Sequence, residues 1–480
     1  MKVAFLTSEC FPYVKTGGLG DVAGALPKAL YQSGCEVKVF LPLYGGIKVQ
    51  DHGIKRIDEF SNISVHLAGK DLNFSVFHTT LPGAEVEVYF IDCPYYYHRN
   101  LPYTNDSDED ERFLLFQNAS LMTLQRLKWA PDVIHCNDWQ TGLIPIYLKT
   151  NYAWDRLFGE SRSLLSIHNI GYQGRFPEST VAKSGLDRNL YLNAGPLEFH
   201  STFSFLKSGI MYADKISTVS PTYAREIQTE EYGAGMDGVL RSRSNDLIGI
   251  LNGIDIDLWN PAKDKFIKSQ YTAETLEMKE ENKKNLLERV NIEYAENQPV
   301  LGIVSRLAGQ KGINLLQPII NHIMSLPVRF VVLGSGEEQY EQFLSAAESS
   351  FEGRFCAYLG YNNELSHLIT AGADIFLMPS RYEPCGLNQM YSLRYGTVPV
   401  VRKTGGLADT VMDYHEYYEK GNGFSFNEYS SAALLSTIQR AVDIYYQKDI
   451  WSGIQRRGML EDFSWKKSAE KYLDVYKSLM

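Results

Sequence analysis

Two cations, Arg306 and Lys311, stand five residues apart in "VSRLAGQKG", on a loop that follows the apolar run "PVLGI". A guanidinium and an ammonium aimed at one crevice suit a diphosphate, because fixed positive charge offsets the charge of adjacent phosphates. Further along, "MPSRYEPCGLNQ" sets Glu383 past another apolar run and just before a helix that opens near Gly386. A carboxylate there can pair with the cations or bind sugar or ribose hydroxyls.

The first half of the chain carries a complementary set. "YVKTGGLGDVAGALPKAL" places Lys15, the Gly17-Gly18 pair and Asp21 at a helix start. Glycines let backbone approach an anion, Lys15 supplies charge, and Asp21 can cap the helix. Almost the same heptad returns as "KTGGLAD" from Lys403 to Asp409, with Thr404 to Gly406 as a turn. "DVIHCNDWQTG" puts Asp138 and Trp139 just past a strand, and "SLLSIHNIGYQG" repeats the arrangement with His168, Asn169 and Gly171. A dinucleotide fingerprint is not supported: "GLGDVA" lies too far from the first strand, and "GSGEEQ" carries Gln339 where a small residue belongs.

The elements that must position these residues are short β-rich runs alternating with helical patterns. "KVAFLTS", "EVKVFLP", "VEVYFID", "DVIHC", "SLLSIH" and "KISTVS" mark one series. "PVLGIVS", "VRFVVLG", "RFCAYLG", "DIFLMPS" and "TVPVV" mark a second after residue 298. Such alternation predicts an α/β protein of two doubly wound domains, with ligands at the strand C-termini. The expected division is 1–250 and 251–458, with a final helix in 459–480. The Lys/Glu-rich stretch between the halves reads as a solvated helix face.

The 480 residues exceed one ordinary core, and 44% hydrophobic with 22% charged residues is a globular composition. A net charge of -10 argues against a broad nucleic-acid surface. The six cysteines are scattered without CxxC, which favours reduced thiols over zinc or disulfides. The N-terminus lacks a signal-peptide profile and no run approaches a bilayer span, so a cytoplasmic location without membrane attachment is expected.

Together "KTGGLGDV", "HNIGYQG", "NGIDIDLWNP", "SRLAGQKG" and "PSRYEPCGLNQMYSLRYGTVPVVRKTGGLADTV" resemble bacterial glycogen synthases, close relatives of plant starch synthases. The motifs run in order from residue 15 to about residue 412. The resemblance implies a GT-B fold, two Rossmann-like domains facing a central cleft, with the last helix crossing back to the first. It implies an enzyme that moves glucose from ADP-glucose, with retention, to the non-reducing end of an α-1,4-glucan such as glycogen. ADP-glucose is a co-substrate, and neither cofactor nor metal is expected.

Carried over by motif, Lys15 and Gly17-Gly18 touch phosphate, Arg306 and Lys311 stabilise the leaving diphosphate, and Glu383 holds donor sugar hydroxyls. His168 and Asp138 line the glucosyl pocket with Asn252 nearby, Tyr361 meets the base, and the amides of Gly386 and Leu387 sit at phosphate. Asp21, Tyr97, Trp139, Asn169, Cys385 and Thr404 complete the substrate-binding set. Gln140 and His98 depart from the commoner pattern on the acceptor side. "DID" at Asp255 to Asp257 looks like a metal-binding motif but lies in an inter-domain turn and reads as structural. Two rivals remain: a pyridoxal-dependent phosphorylase of the same fold, and a catalytically silent glucan-binding protein.

Overall fold

The computed structural model describes residues 1–99 and 101–480 and divides them into two compact units. One comprises Met1–Gly253 with Trp465–Met480, the other Ile254–Ser464.

In the first unit, Lys2–Leu6 pairs in parallel with Glu36–Pro42 on one side and with Val133–Asn137 on the other. Beyond Val133–Asn137 follow Arg162–Ile167, Lys215–Thr218 and Leu247–Gly249, all parallel. Beyond Glu36–Pro42 lies Glu87–Asp92, also parallel, and then an antiparallel edge of Lys70–Thr80, Ile63–Leu67 and Lys55–Arg56. Val3, Ala4, Phe5 and Leu6 are all fully buried, as a parallel strand covered by helices on both faces requires. The chain order turns round between Lys2–Leu6 and Val133–Asn137, and open α/β sheets bind ligands beyond the strand C-termini at such a point.

The last helix, Trp465–Leu479, belongs to this unit and buries Trp465, Ser468, Ala469, Tyr472, Val475 and Tyr476, the spacing of one helical face. Its Tyr476 hydroxyl lies 2.7 Å from Nδ1 of His135, whose Nε2 lies 2.6 Å from Ser166 Oγ. Burial pushes His135 down to about 3, so a neutral ring joins the helix to two strands.

The second unit is a six-stranded parallel sheet in the order Phe355–Leu359, Arg329–Gly334, Val300–Val304, Ile375–Met378, Val398–Arg402, Phe424–Phe426. This is the dinucleotide-fold order, and its turning point lies between Val300–Val304 and Ile375–Met378. Residues 459–464 stay with this unit, where Ile254 N–H donates to Phe463 O at 2.8 Å.

The Lys/Glu-rich stretch forms helix Lys279–Arg289, but it is not simply solvated: Lys279 and Lys283 are buried along with Leu286 and Leu287. Lys283 pairs with Asp374 at 3.0 Å, and Lys279 donates to Ala371 O and Thr397 Oγ1. Lysine stems reach over apolar surface while their heads find acceptors, which a count of charges along the chain does not reveal.

Candidate active site

In the first unit the crevice residues come from successive strand ends. Asp138 follows Val133–Asn137 with φ 55 and ψ -171, a conformation open almost only to glycine. The strain aims its carboxylate across the sheet end, where Oδ1 accepts the His168 N–H at 2.7 Å. Burial raises the Asp138 carboxyl to about 7; the His168 and Asn169 N–H groups oppose that rise, and nearby Glu9 adds to it. His168 follows Arg162–Ile167, with Nε2 2.9 Å from Asn137 Oδ1, and burial lowers it to about 4. Asn252, past Leu247–Gly249, is 5% exposed, and its Oδ1 has no partner among the described residues.

Trp139 and the chain after His168 enclose a depression of about 450 Å³ lined by Trp139, Tyr172, Gln173 and Arg175 among others. Gly174, at φ +55, lies so close to Trp139 that a Cβ would sit 2.4 Å from the indole ring. Tyr172 is exposed, so an aromatic face with polar edges meets solvent, a surface suited to a sugar ring. Asn169 itself closes the turn, accepting Gly171 N–H at 2.9 Å.

The loop after Lys2–Leu6 is organised by a residue that the motifs did not single out. Glu9 is buried, and its carboxylate accepts Thr16 N–H (2.6 Å), Thr16 Oγ1 (2.6 Å), Gly17 N–H (3.1 Å) and the Tyr103 hydroxyl (2.7 Å). Lys15 pairs with Asp21 at 2.6 Å, so Asp21 anchors the lysine and makes no side-chain cap. Gly17 and Gly18 meet nothing within 4 Å of an added Cβ. Glu9→Ala should therefore free the loop and lower stability by about 2 kcal/mol, because buried donors lose a charged acceptor. Denaturant titration checks this, and an unchanged midpoint would contradict it.

Contrary to expectation, Tyr97 does not face a ligand surface. It is fully buried, and its hydroxyl donates to Arg112 O at 2.8 Å, so it presents no atom to a ligand. In the turn Pro94–Tyr97 it is Tyr95 that faces outward, 59% exposed. His98 pairs with Asp92 at 2.9 Å. Gln140 is buried with Oε1 unpartnered among the described residues.

In the second unit, Arg306 and Lys311 follow Val300–Val304, and Glu383 follows Ile375–Met378, so both loops stand at the turning point of the sheet. Lys311 Nζ lies 2.6 Å from Glu383 Oε2, which also accepts Ser380 Oγ at 3.0 Å. Arg306 is exposed, and among the described residues its side chain hydrogen-bonds Gln310 Oε1 alone, at 3.3 Å. Next comes Gly386 at φ +71, and the N–H groups of Gly386 and Leu387 take no acceptor among the described residues. Cys385 and Thr404 are enclosed at 6% and 1% exposure, so their side chains shape the loop while Tyr361, 86% exposed, stands free.

The two heptads are alike for different reasons. A Cβ on Gly405 would lie 1.9 Å from Glu383 O, and one on Gly406 1.9 Å from Cys385 O. The second glycine pair thus lets helix Gly405–Thr410 press against the Glu383 loop, whereas the first leaves open space. The "DID" carboxylates are spent locally: Asp255 Oδ1 accepts the N–H of Asp257 and Leu258, and Asp257 pairs with Lys263.

A family model for the starch synthase catalytic domain matches residues 2–242, and one for group 1 glycosyl transferases matches residues 286–451. The chain is 45% identical over 485 residues to a glycogen synthase of Thermotoga maritima, covering 100% of this chain and 99% of that one. This chain belongs to the glycogen and starch synthase family. Another family member, from Thermosipho africanus, is 46% identical over 99% of this chain and 98% of its own length. Among solved structures, the catalytic domain of starch synthase IV from Arabidopsis thaliana, bound to ADP and acarbose, superposes with a TM-score of 0.91 at 34% identity, covering 99% of each chain. A sucrose-phosphate synthase from Thermosynechococcus elongatus, 16% identical with a TM-score of 0.59, shares the fold. The chain is accordingly a glycosyltransferase of the GT-B type that works in glycogen synthesis by glucosyl transfer. No helix among the described residues is long and apolar enough to cross a membrane.

Proposed function

We propose that this synthase takes glucose from ADP-glucose and adds it, with retention, to the non-reducing end of an α-1,4-glucan. The observation that carries the reading is the pair of cations at the turning point of the second unit, Lys311 braced by Glu383 and Arg306 open to solvent. ADP, the product this donor leaves behind, is what the starch synthase structure holds, together with acarbose.

The chemistry follows from charge. As the bond to the anomeric carbon loosens, negative charge grows on the departing diphosphate and positive charge on the sugar. Arg306, Lys311 and the N–H groups of Gly386 and Leu387 oppose the first. Glu383 holds sugar hydroxyls as well as Lys311. Asp138 and His168 line the glucosyl pocket, and Asn252 Oδ1 offers an acceptor there. Tyr361 stacks on the base. Asp138 carries no assigned covalent role: its carboxyl is already engaged with the His168 N–H, and the transfer runs on the front face through an ion-pair-like state. Two fixed cations suit a reaction without metal or organic cofactor. The free cysteines suit a reducing cytoplasm.

ADP-glucose should therefore give a higher kcat/KM than UDP-glucose with glycogen as acceptor, measured as nucleotide released and glucose incorporated. Equal or reversed values would refute the donor assignment. A silent glucan-binding protein would show neither product, and a phosphorylase would require inorganic phosphate or glucose 1-phosphate.

A further inference from the structure

Asn137, the residue before Asp138, ends its strand fully buried. Its side-chain nitrogen lies 2.9 Å from Leu6 O. A backbone carbonyl only accepts, so the NH₂ of Asn137 must face it and Oδ1 must point the other way. Oδ1 lies 2.9 Å from His168 Nε2. An amide oxygen also only accepts, so Nε2 carries the hydrogen. His168 is held neutral by burial, which lowers it to about 4. A neutral imidazole with hydrogen on Nε2 has a bare lone pair on Nδ1. Nδ1 has no partner among the described residues and is not sealed from solvent.

We propose that Asn137 is a positioning residue that fixes His168 as the Nε2–H tautomer and so offers Nδ1 as an acceptor to a donor-sugar hydroxyl. This rests on the reading of His168 as part of the glucosyl pocket. Leu6 O sets the amide, the amide sets the ring, and the ring selects a group that donates a hydrogen bond. Of the other titratable groups nearby, His135, on the same strand as Asn137, is electrostatically coupled to this ring, while Asp138 accepts the His168 backbone N–H and Glu9 acts on Asp138.

The test is ¹⁵N NMR of histidine-labelled full-length protein, with the His168 signals assigned by their loss in His168→Gln. Wild type should show a protonated Nε2 and a bare Nδ1 throughout the neutral range. Asn137→Leu should lose that single-tautomer pattern and lower kcat roughly tenfold, with donor KM changing less than about twofold. Asn137→Asp keeps an acceptor for Nε2–H, so it should retain the pattern at alkaline pH. Its added charge should raise the pH at which the ring takes a second proton by about one unit or more. An Nδ1–H ring in wild type would overturn the proposal, as would an unchanged Nε2–H ring in folded Asn137→Leu. The spectra need no substrate, so a wild-type enzyme that shows the tautomer but transfers no glucose would count against the functional reading instead.

Discussion

Lys311→Gln is expected to lower kcat on the order of a hundredfold to a thousandfold, with a much smaller change in donor KM. The lysine meets charge that grows as the diphosphate departs, so its interaction is stronger in the transition state than with bound donor. Its second task complicates the experiment. Glu383 is 5% exposed, and without Lys311 its carboxylate keeps only Ser380 of these two partners. Removing one member of a buried pair can cost about 3–5 kcal/mol, reduced here because the lysine is partly open to water. Tm must therefore be measured beside the kinetics. Arg306→Gln is the cleaner probe, since the Arg306 side chain is exposed and makes one long hydrogen bond among the described residues: kcat should fall by a similar factor while Tm stays put. The double variant should lose less than the product of the two effects, because both groups act on one leaving group. A folded Lys311→Gln enzyme with normal kcat and only a raised KM would mean that the lysine binds donor and transition state equally.

Asp138→Asn should abolish most activity, by roughly a hundredfold or more in kcat, and yet make the protein more stable at alkaline pH. The wild-type carboxyl is raised by burial from the ordinary carboxylate range to about 7. Holding it ionised in the folded state costs on the order of 3–4 kcal/mol at pH 8, and asparagine removes that cost while keeping an oxygen for the His168 N–H. The sign follows from proton binding: the folded protein holds this proton more tightly than the unfolded chain. Wild type therefore gains stability from this group as pH falls from about 7 towards 4, and the advantage of the variant fades over the same window. Denaturant titrations at pH 8 and pH 5 check it. An equal stability difference at both values, or none, would show that Asp138 titrates normally. Where the ionised form is the active one, wild-type kcat should also decline below about pH 7.

Much of this site was legible in the sequence because parallel strands buried on both faces read as apolar runs, and the first polar residues after each run fall at the ligand edge. The positions of Asp138, His168, Arg306 and Glu383 just past strands are read that way, and the structure has each of them following a strand end. Tyr97 was misjudged because "PYYY" offers three like residues in one turn, and only packing decides that Tyr95 faces out. Glu9 and Asn137 escaped notice for a related reason: each looks like a chance polar residue near a strand end, and its meaning lies in partners such as Tyr103 and Leu6 that are far away in sequence. The antiparallel edge Lys55–Arg56, Ile63–Leu67 and Lys70–Thr80 is half exposed and carries His, Asn and Lys, so it shows no apolar run. The likeness of the two glycine heptads was plain, but only the close approach of Gly405 and Gly406 to the Glu383 loop shows the second to be a packing device.

The most direct measurement is the anomeric configuration of newly added glucose. Enzyme incubated with ADP-glucose carrying ¹³C at the anomeric carbon and a short α-1,4-glucan should extend the chain by α-1,4-linked units at the non-reducing end. One ADP should be released for each glucose transferred. A β-linked product, or ADP and free glucose released without growth of the glucan, would contradict the account.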